Sequence, residues 1–283
     1  MRKVRSTPFN GVFKTWARFL ILPGAIFLIL FCGCGKDAGK SDREKLIVAT
    51  DATLIPMAFM TDDNRIDGFE IDLMKAIAGK AGFEWEMINV EWAGLFGGLI
   101  TRKYDMAISS ITILEERKKR MAFSIPYLKS GIALVVRKEM EGVNSLEDVK
   151  TKNLLVGAQI GTTAYFFLEK DPDIRKKGYQ LYGHAVTDMI NGKIDAVIGE
   201  STGTLYYKNQ NLEYFQKIKM VGEIMTKEFY GIAMKKDNPE LLEKVNGALR
   251  ILLENGAIQA LHDKWELGQA ASVPSLEEAG AAQ

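Results

Sequence analysis

Single polar residues follow several short apolar runs of this 283-residue chain, at points where a buried strand would end. Open α/β sheets bind ligands beyond the carboxyl ends of their strands, so such residues are candidates for a binding site. The candidates are Asp51, Ser110, Thr112, Arg117, Gln159, Thr162, Thr163 and Glu200, together with Trp92 as an aromatic wall.

Taken together, these residue types suit a ligand that carries both charges. A carboxylate is bound by a guanidinium and by backbone N–H groups at a helix start, which Arg117 and residues 161–163 can supply. An ammonium group needs acceptors, which Glu200, the Thr112 hydroxyl and the Ser110 carbonyl can supply. The pattern therefore predicts a site for a zwitterion.

Each candidate also has a purely structural interpretation. Asp51 can cap a turn, and Thr162 and Thr163 can cap a helix. Arg117 lies in the charged run 115–120 and can be one more solvated charge, while Trp92 can be a core residue. Spacing by itself leaves these alternatives open.

Motifs of enzymes and metal sites are absent from the sequence. It has no G-x-S-x-G elbow, no phosphate-binding loop and no H-E-x-x-H, and His184 and His262 lie far apart. We therefore expect no catalytic residue, no metal and no cofactor. The chain has 37 Lys and Arg against 36 Asp and Glu, which argues against a nucleic-acid partner because such proteins are usually strongly basic.

Strands and helices alternate along the chain and must position the candidates. Apolar runs predict strands, and apolar residues at helical spacing predict helices. The predicted strands are residues 46–50, 83–90, 106–109, 154–157, 179–181 and 196–198. The predicted helices are residues 71–81, 94–102, 163–170, 186–191 and 202–209, with two more between 238 and 265. This order is typical of parallel sheets in an α/β fold.

Residues 99–110 and 189–200 are similar to each other at a spacing of 90 residues. Each segment has the pattern of a helix end followed by a basic turn, an Asp, an apolar strand and a small or polar residue after the strand. Unless this similarity is chance, the chain forms two sheet domains with Ser110 and Glu200 at equivalent strand exits. We expect lobe 1 to comprise residues 45–130 and 229–267 and lobe 2 residues 131–228. Two connecting strands would allow hinge closure.

The two chain ends predict targeting and disorder. Residues 1–33 hold five basic and no acidic residues, with an apolar stretch over 19–31 that is shorter than a membrane-spanning helix. This pattern predicts a signal peptide, and Gly33 before Cys34 resembles a lipobox with Cys34 acylated; an uncleaved signal anchor is the alternative. Residues 34–44 would form a lipidated linker and residues 268–283 a disordered tail. Cleavage leaves 32 basic and 36 acidic residues, a net charge of −4.

A series of short segments occurs in a fixed order over residues 45–267: LIVATD (46–51), GFEIDL (68–73), WAGL (92–95), KYDMAI (103–108), ITI (111–113), ER (116–117), FSIPY (123–127), GTT (161–163) and YGIA (230–233). In this order they resemble the bacterial extracellular solute-binding proteins of the polar amino acid type, family 3, which feed ABC importers. The resemblance implies a two-lobed periplasmic-binding-protein-like fold of type II, with sheets flanked by helices and joined by a two-strand hinge.

The resemblance also implies roles for individual residues. Arg117 would clamp the α-carboxylate of an amino acid, helped by backbone groups near Thr112 and Thr163. Glu200 would take the α-ammonium group, and Asp51 would face the ligand side chain.

This sequence departs from the family pattern at two places. Leu54, Pro56 and Met57 stand where the family has an aromatic residue and a Pro-Phe pair, which leaves Trp92 as the main wall. Glu200 stands where Asp is common, so its carboxylate reaches one methylene further.

The sequence thus predicts a monomeric, lipid-anchored, extracytoplasmic protein that is not an enzyme. It would bind an amino acid by cleft closure and deliver it to the permease subunits of an ABC importer. Arg117 against Asp51 and Glu200 gives a local charge of −1, which favours a polar or cationic ligand. One alternative is an enzyme resembling cyclohexadienyl or arogenate dehydratases, although residues 161–164 offer hydroxyls rather than an acid. The other is an extracellular sensor subunit acting through a separate receptor.

Overall fold

A computed structural model describes residues 45–205 and 212–282 of the chain. The predicted signal peptide, the linker and Cys34 lie outside the described residues. No helix within the described part is long and apolar enough to cross a membrane. The predicted fold class is confirmed: the chain is an α/β protein with two lobes, each built around a five-stranded sheet.

The strands and helices follow one another along the chain in the alternating order expected from the sequence. The strands are β1 (Lys45–Thr50), β2 (Thr53–Leu54), β3 (Ala58–Met60), β4 (Ile66–Asp67), β5 (Glu84–Asn89), β6 (Met106–Ala107), β7 (Ala122–Phe123), β8 (Leu128–Ser130), β9 (Ile132–Arg137), β10 (Leu155–Gln159), β11 (Arg175–Tyr179), β12 (Ala196–Glu200), β13 (Ile218–Val221), β14 (Glu228–Tyr230) and β15 (Ala233–Met234). The helices are α1 (Phe69–Ala81), α2 (Trp92–Ile100), α3 (Glu115–Lys118), α4 (Leu146–Thr151), α5 (Thr163–Glu169), α6 (Tyr182–Ile190), α7 (Leu212–Phe215), α8 (Pro239–Glu254), α9 (Ala257–Lys264) and α10 (Leu276–Ala281). Two 3₁₀ turns, η1 (Ser201–Leu205) and η2 (Gly268–Ala270), complete the described elements.

The sheet of lobe 1 has the strand order β5-β1-β6-β15-β7. Strand β1 runs parallel to β5 and β6, and β15 joins from the far end of the chain in the antiparallel direction. Helix α1 buries Phe69, Leu73 and Ile77 against this sheet, as its apolar spacing dictates. The helix ends at Gly82, whose φ of 75° suits glycine and whose N–H donates to Ala78 O.

The sheet of lobe 2 has the strand order β11-β10-β12-β9-β13. Strand β10 runs parallel to β11 and β12, while β9 runs antiparallel to β12 and β13. The strand predicted at 179–181 instead covers Arg175–Tyr179, and Leu181 is the N-cap of α6. The prediction was wrong because β11 is a basic edge strand with an exposed face, so it lacks the apolar run of a buried strand.

The hinge consists of β8 and β14, which pair antiparallel with Leu128 opposite Tyr230 and Ser130 opposite Glu228. The chain leaves lobe 1 through β8 and returns to it through β14. The two lobes are therefore connected by hydrogen-bonded strands rather than by free loops, a geometry that permits rotation about the hinge.

The prediction of a disordered tail at residues 268–283 was wrong. Residues 268–282, named here the C-terminal strap, form η2, a β-bridge from Ser272 to Lys129 of the hinge, and α10. Ser275 is the N-cap of helix α10 and forms a complete capping box with Glu278, and Ala279 is buried in the lobe 1 core. The strap docks through small residues such as Ala279, so the sequence shows no apolar periodicity there.

The C-terminal strap contacts both lobes as well as the hinge. Lys129 of β8 forms an ion pair with Glu278 at 2.9 Å. The Ser201 hydroxyl of lobe 2 donates to Ala270 O, and the Lys118 ammonium of lobe 1 donates to Ala282 O at 3.3 Å. The strap therefore crosses the molecule at the hinge.

Candidate functional site

The nine residues predicted for the site all line one cleft between the two lobes. Thr53, Leu54 and Ser109 line the same cleft, which has an empty volume of about 440 Å³ including its open mouth. The nine residues come from different strand exits and helix starts, so only the folded arrangement of both lobes brings them together.

Asp51 follows β1 and is both a lining residue and a cap. Its Oδ2 accepts from the N–H of Trp92, the first residue of α2, at 2.9 Å. Its Oδ1 accepts from the Thr53 hydroxyl at 2.8 Å. Burial raises the pKa of Asp51, although these two hydrogen bonds oppose the shift. The structural interpretation therefore holds for this carboxylate, which also lines the cleft.

Ser110 follows β6 and has a φ of 47°, in the left-handed region that serine rarely adopts. The buried Glu70 carboxylate stabilises this conformation, because its Oε1 accepts from Ser110 N at 2.6 Å and from Ser110 Oγ at 3.2 Å. The Tyr127 hydroxyl donates to the same oxygen. Burial raises the pKa of Glu70. Glu70 thus fixes the backbone of Ser110 where it faces the cleft.

Arg117 lies on α3 and reaches across the cleft. Its Nη1 donates to Thr112 O at 2.9 Å within lobe 1, and its Nη2 donates to Gly161 O at 3.3 Å in lobe 2. Burial lowers the pKa of Arg117 to about 10, with Glu200 and Glu228 opposing the shift. The guanidinium is therefore charged at neutral pH, and these two bonds use two of its five N–H groups.

Trp92 forms an aromatic wall beside the guanidinium. The Arg117 Cζ lies 5.6 Å from the Trp92 ring centre and 4.9 Å from that of Phe96, and the two rings meet edge to face at 5.2 Å. Gly161 has a φ of 80°, and a Cβ there would lie 3.3 Å from Trp92 Nε1. Glycine thus lets the indole of lobe 1 approach the backbone of lobe 2.

Gln159 and Thr162 line the cleft while their polar groups serve the fold. The Gln159 Nε2 donates to Gln180 O at 2.9 Å. The Thr162 hydroxyl donates to Gln159 O at 2.8 Å and accepts from Tyr165 N at 3.3 Å, so it caps α5. For Thr162 the structural interpretation of the sequence holds.

Glu200 ends β12 and faces the cleft from lobe 2. Its Oε1 lies 2.5 Å from the Thr163 hydroxyl oxygen, and its Oε2 lies 3.2 Å from the Tyr230 hydroxyl oxygen, both within hydrogen-bonding distance. Burial and the neighbouring carboxylate of Glu228 raise the pKa of Glu200 to about 8, although Arg117 opposes the shift.

Glu228 is a buried acid behind the cleft that the sequence analysis missed. It lies on the hinge strand β14, and its Oε2 accepts from Thr112 Oγ1 at 2.7 Å and Thr163 Oγ1 at 3.0 Å. The Oε2 atom of Glu228 is therefore within hydrogen-bonding distance of one hydroxyl group from each lobe. The signal in the sequence was its position two residues before Tyr230, which puts both side chains on one face of a strand.

No group of three His, Cys, Asp or Glu side chains in the described part of the chain could hold a metal ion. His184 is exposed and His262 is buried beside Ala271 O, and neither lines the cleft. The cleft instead offers one guanidinium, hydroxyl groups and carboxylates around a small cavity. Such an arrangement can bind an anionic and a cationic group of one small molecule together.

A two-lobed α/β fold with a polar cleft at its hinge defines the class of the extracytoplasmic solute-binding proteins. Residues 46–269 match the family of bacterial extracellular solute-binding proteins, family 3, and the chain belongs to this family.

Individual relatives show what this chain is similar to. The L-cystine-binding protein TcyJ of Escherichia coli is 31% identical over 227 residues, which cover 79% of this chain and 83% of that protein. The structure of an ancestral arginine-binding protein bound to arginine has a TM-score of 0.73 and 38% identity, covering 79% of this chain and 98% of that one. An ancestral amino acid-binding protein that is a precursor of cyclohexadienyl dehydratase has a TM-score of 0.71 and 31% identity, covering 78% and 95% of the two chains.

Proposed function

We propose that this protein binds an amino acid in the cleft between its lobes and delivers it to the permease subunits of an ABC importer. One observation carries this proposal: the guanidinium of Arg117 and the carboxyl group of Glu200 line the same cavity at the hinge. A free amino acid carries one carboxylate and one ammonium group, so its charges complement this pair. Family membership supports the importer as the partner.

The roles follow from the chemistry of each group. Arg117 clamps the α-carboxylate together with the backbone at the start of α5. Glu200 and the oxygens of Ser110 and Thr112 accept hydrogen bonds from the α-ammonium group. Asp51 and Trp92, with Leu54, face the ligand side chain, while Gln159, Thr162 and Thr163 form the wall of lobe 2.

The charge of the site favours a cationic ligand. Three acidic side chains, Asp51, Glu200 and Glu228, lie in or beside the cleft against the single guanidinium of Arg117, and an acidic excess remains when Glu200 holds a proton. A second positive charge on the ligand would offset this excess, whereas an acidic side chain would increase it. The similarity to an arginine-bound relative supports the same ligand class.

The location of the protein follows from its family and its N-terminal sequence. We propose that it acts outside the cytoplasmic membrane as a monomer, held to a membrane by a lipid on Cys34 after cleavage of residues 1–33. Mass spectrometry of the protein from membranes tests this part, because an acylated Cys34 at the N-terminus has a distinct mass. An intact segment 1–33 would contradict it.

A thermal-shift screen over the twenty amino acids, ornithine and citrulline tests the binding function, followed by calorimetry on each hit. We expect L-arginine or a similar cation to raise Tm most. Agmatine, which is arginine without its carboxylate, is the matched control and should not bind. Stabilisation by no amino acid, or by acidic ones only, would contradict the proposal.

A dehydratase acting on prephenate or arogenate is the second candidate function. One observation favours it: Glu200 is a carboxyl group in the cleft whose raised pKa suits a general acid. Incubation of purified protein with each compound, followed by assay for phenylpyruvate or phenylalanine, separates the two functions. We expect no product, and turnover would replace the binding function by an enzymatic one.

A further inference from the structure

Glu228 lies behind the cleft, where its carboxylate is within hydrogen-bonding distance of a hydroxyl group from each lobe. Its Oε2 is 2.7 Å from Thr112 Oγ1 and 3.0 Å from Thr163 Oγ1, and its Oε1 accepts from Thr226 Oγ1 at 2.9 Å. The side chain is buried, with 8% of its surface exposed. Its position on hinge strand β14 joins the ligand cleft to the hinge.

The single hydroxyl hydrogen of Thr163 cannot form hydrogen bonds to two ionised carboxylates at once. Thr163 Oγ1 lies 2.5 Å from Glu200 Oε1 and 3.0 Å from Glu228 Oε2, yet a hydroxyl group carries a single hydrogen. With both acids ionised, one of these contacts would join two oxygens without a hydrogen between them. One additional proton resolves the geometry, because a protonated Glu200 can donate to Thr163, which then donates to Glu228.

We propose that Glu228 is a further residue of the ligand site, which shares one proton with Glu200 through Thr163 in the ligand-free cleft, and that the α-ammonium group of the ligand takes the place of this proton. This inference rests on the proposed amino-acid-binding function. On binding, the O–H bond of Glu200 breaks, its proton passes to a solvent base, and an N–H of the ammonium group donates to the carboxylate that remains.

The charged and titratable groups around this pair come from several elements. Arg117 approaches from α3, Tyr230 from β14 contacts Glu200 at 3.2 Å, and Asp51 lines the same cavity from lobe 1. On the neighbouring strand β8, Lys129 forms an ion pair with Glu278 of the strap. Arg117 favours ionisation of Glu200, whereas burial and Glu228 oppose it more strongly and raise its pKa to about 8.

Calorimetry of L-arginine binding in phosphate and in Tris at pH 7 measures this exchange, with L-cystine and L-histidine as further probes. The two buffers differ in ionisation enthalpy, so their difference in binding enthalpy reports the protons released. We expect close to one proton per ligand, and an affinity that rises up to about tenfold from pH 6 to pH 7. A binding enthalpy that is equal in both buffers would overturn the inference.

Glu228→Gln tests the part of Glu228 in this exchange. The oxygen of the new amide can accept from Thr226, and its nitrogen can donate to Thr163 and Thr112. The amide N–H then replaces the hydrogen bond for which the native protein needs an additional proton, so Glu200 can remain ionised. We expect the release to fall below about half a proton at pH 7 and the pH dependence to flatten. Glu223→Gln, at an exposed acid on the same connection, is the control and should behave like the native protein.

A second measurement needs no variant. In the ligand-free native protein at pH 7, the ¹³C NMR signal of the Glu200 carboxyl carbon should be that of a protonated acid, and it should shift when saturating L-arginine displaces the proton. A Glu200 signal that L-arginine leaves unchanged would overturn the exchange, and unchanged proton release in Glu228→Gln would overturn the role of Glu228. If no probe binds at all, the proposed function fails, and the proton exchange fails with it; binding without release overturns the exchange alone.

Discussion

Asp105 and Asp195 make the same two hydrogen bonds in opposite lobes. Asp105 N donates to Ile47 O at 2.9 Å while its Oδ2 accepts from Ile47 N at 2.9 Å. Asp195 makes the equivalent pair with Leu155, at 2.9 and 2.8 Å. Each Asp lies directly before the central strand of its sheet, β6 or β12, and hydrogen-bonds that end of the strand to the neighbouring parallel strand, β1 or β10. The two lobes set the register of their cleft-facing strands in the same way.

Replacing either Asp by Ala should destabilise the protein by about 1–3 kcal/mol, because the partner backbone N–H loses a carboxylate acceptor. Asn retains an acceptor and should cost less. Chemical unfolding followed by fluorescence measures both effects. Since the two sites lie in different lobes, the double variant should show additive losses. An Ala variant as stable as the native protein would contradict the importance of these bonds.

Arg117→Ala should abolish amino-acid binding, with an affinity loss of at least about 100-fold, because a buried carboxylate loses its charged partner. Arg117→Lys should recover only part of it, since an ammonium group cannot form the bidentate contact. Calorimetry with the best ligand of the screen measures both. Arg102→Ala, which removes an exposed ion pair with Asp237, is the control. Unchanged affinity in Arg117→Ala would refute the carboxylate clamp.

Asp51→Asn should reduce the preference for a cationic over a neutral side chain. Asn can still accept from Trp92 N, so α2 should keep its cap while the cleft loses one negative charge. We expect the ratio of arginine to citrulline affinity to fall by about tenfold, or 1.4 kcal/mol. Asp63→Asn, at an exposed acid, should leave the ratio unchanged. An equal ratio in Asp51→Asn would mean that Asp51 serves only as a cap.

The ligand-free protein should lose stability as the pH rises from 5 to 8. The pKa of Glu200 is raised from 4.5 to about 8 by burial and by Glu228, so the folded protein holds a proton that the unfolded chain releases within this range. The contribution is fully present below pH 4.5 and is lost as the pH rises through the folded pKa. Relative to Glu200→Gln, we expect a loss of up to about 3 kcal/mol in unfolding free energy. Parallel pH profiles of the two proteins would contradict the shift.

Removal of the C-terminal strap by truncation after residue 267 should lower Tm, because the strap buries Ala271 and Ala279 in the lobe 1 core and pairs with the hinge. Glu278→Gln tests the ion pair to Lys129 separately. This pair is partly exposed, so its loss should cost less than about 1 kcal/mol. A truncated protein that melts at the native temperature would show that the strap adds no stability.

The sequence predicted nine residues that line one cleft, because polar residues after the strands of an α/β fold meet at one edge of the sheet. Asp51, Ser110 and Glu200 each come after a recognisable apolar run, and the folded sheets bring these ends together. The sequence did not predict Glu228 because this residue begins a hinge strand, and the position of a hinge strand depends on how the two lobes pack together. Glu70 lies within a helix and acts through Ser110, a contact over 40 residues that no local pattern reveals.

The C-terminal strap was mispredicted for a different physical reason. Its burial depends on alanines, whose small side chains give weak local hydrophobic signals, and on tertiary contacts with Lys129 and Ser201. Patterns of hydrophobicity detect elements that bury large side chains. They miss a segment that is ordered by capping, a single ion pair and a β-bridge.

The strap also matters for any use of this protein as an amino-acid biosensor. In such a device, fluorophores on the two lobes report closure, and the response depends on the mechanical stiffness that the ligand must overcome. Because the strap is bonded to the hinge through Lys129 and to lobe 2 through Ser201, it contributes to that stiffness. The length at which a designer ends the chain would therefore set the sensitivity of the sensor, even though the binding residues remain the same.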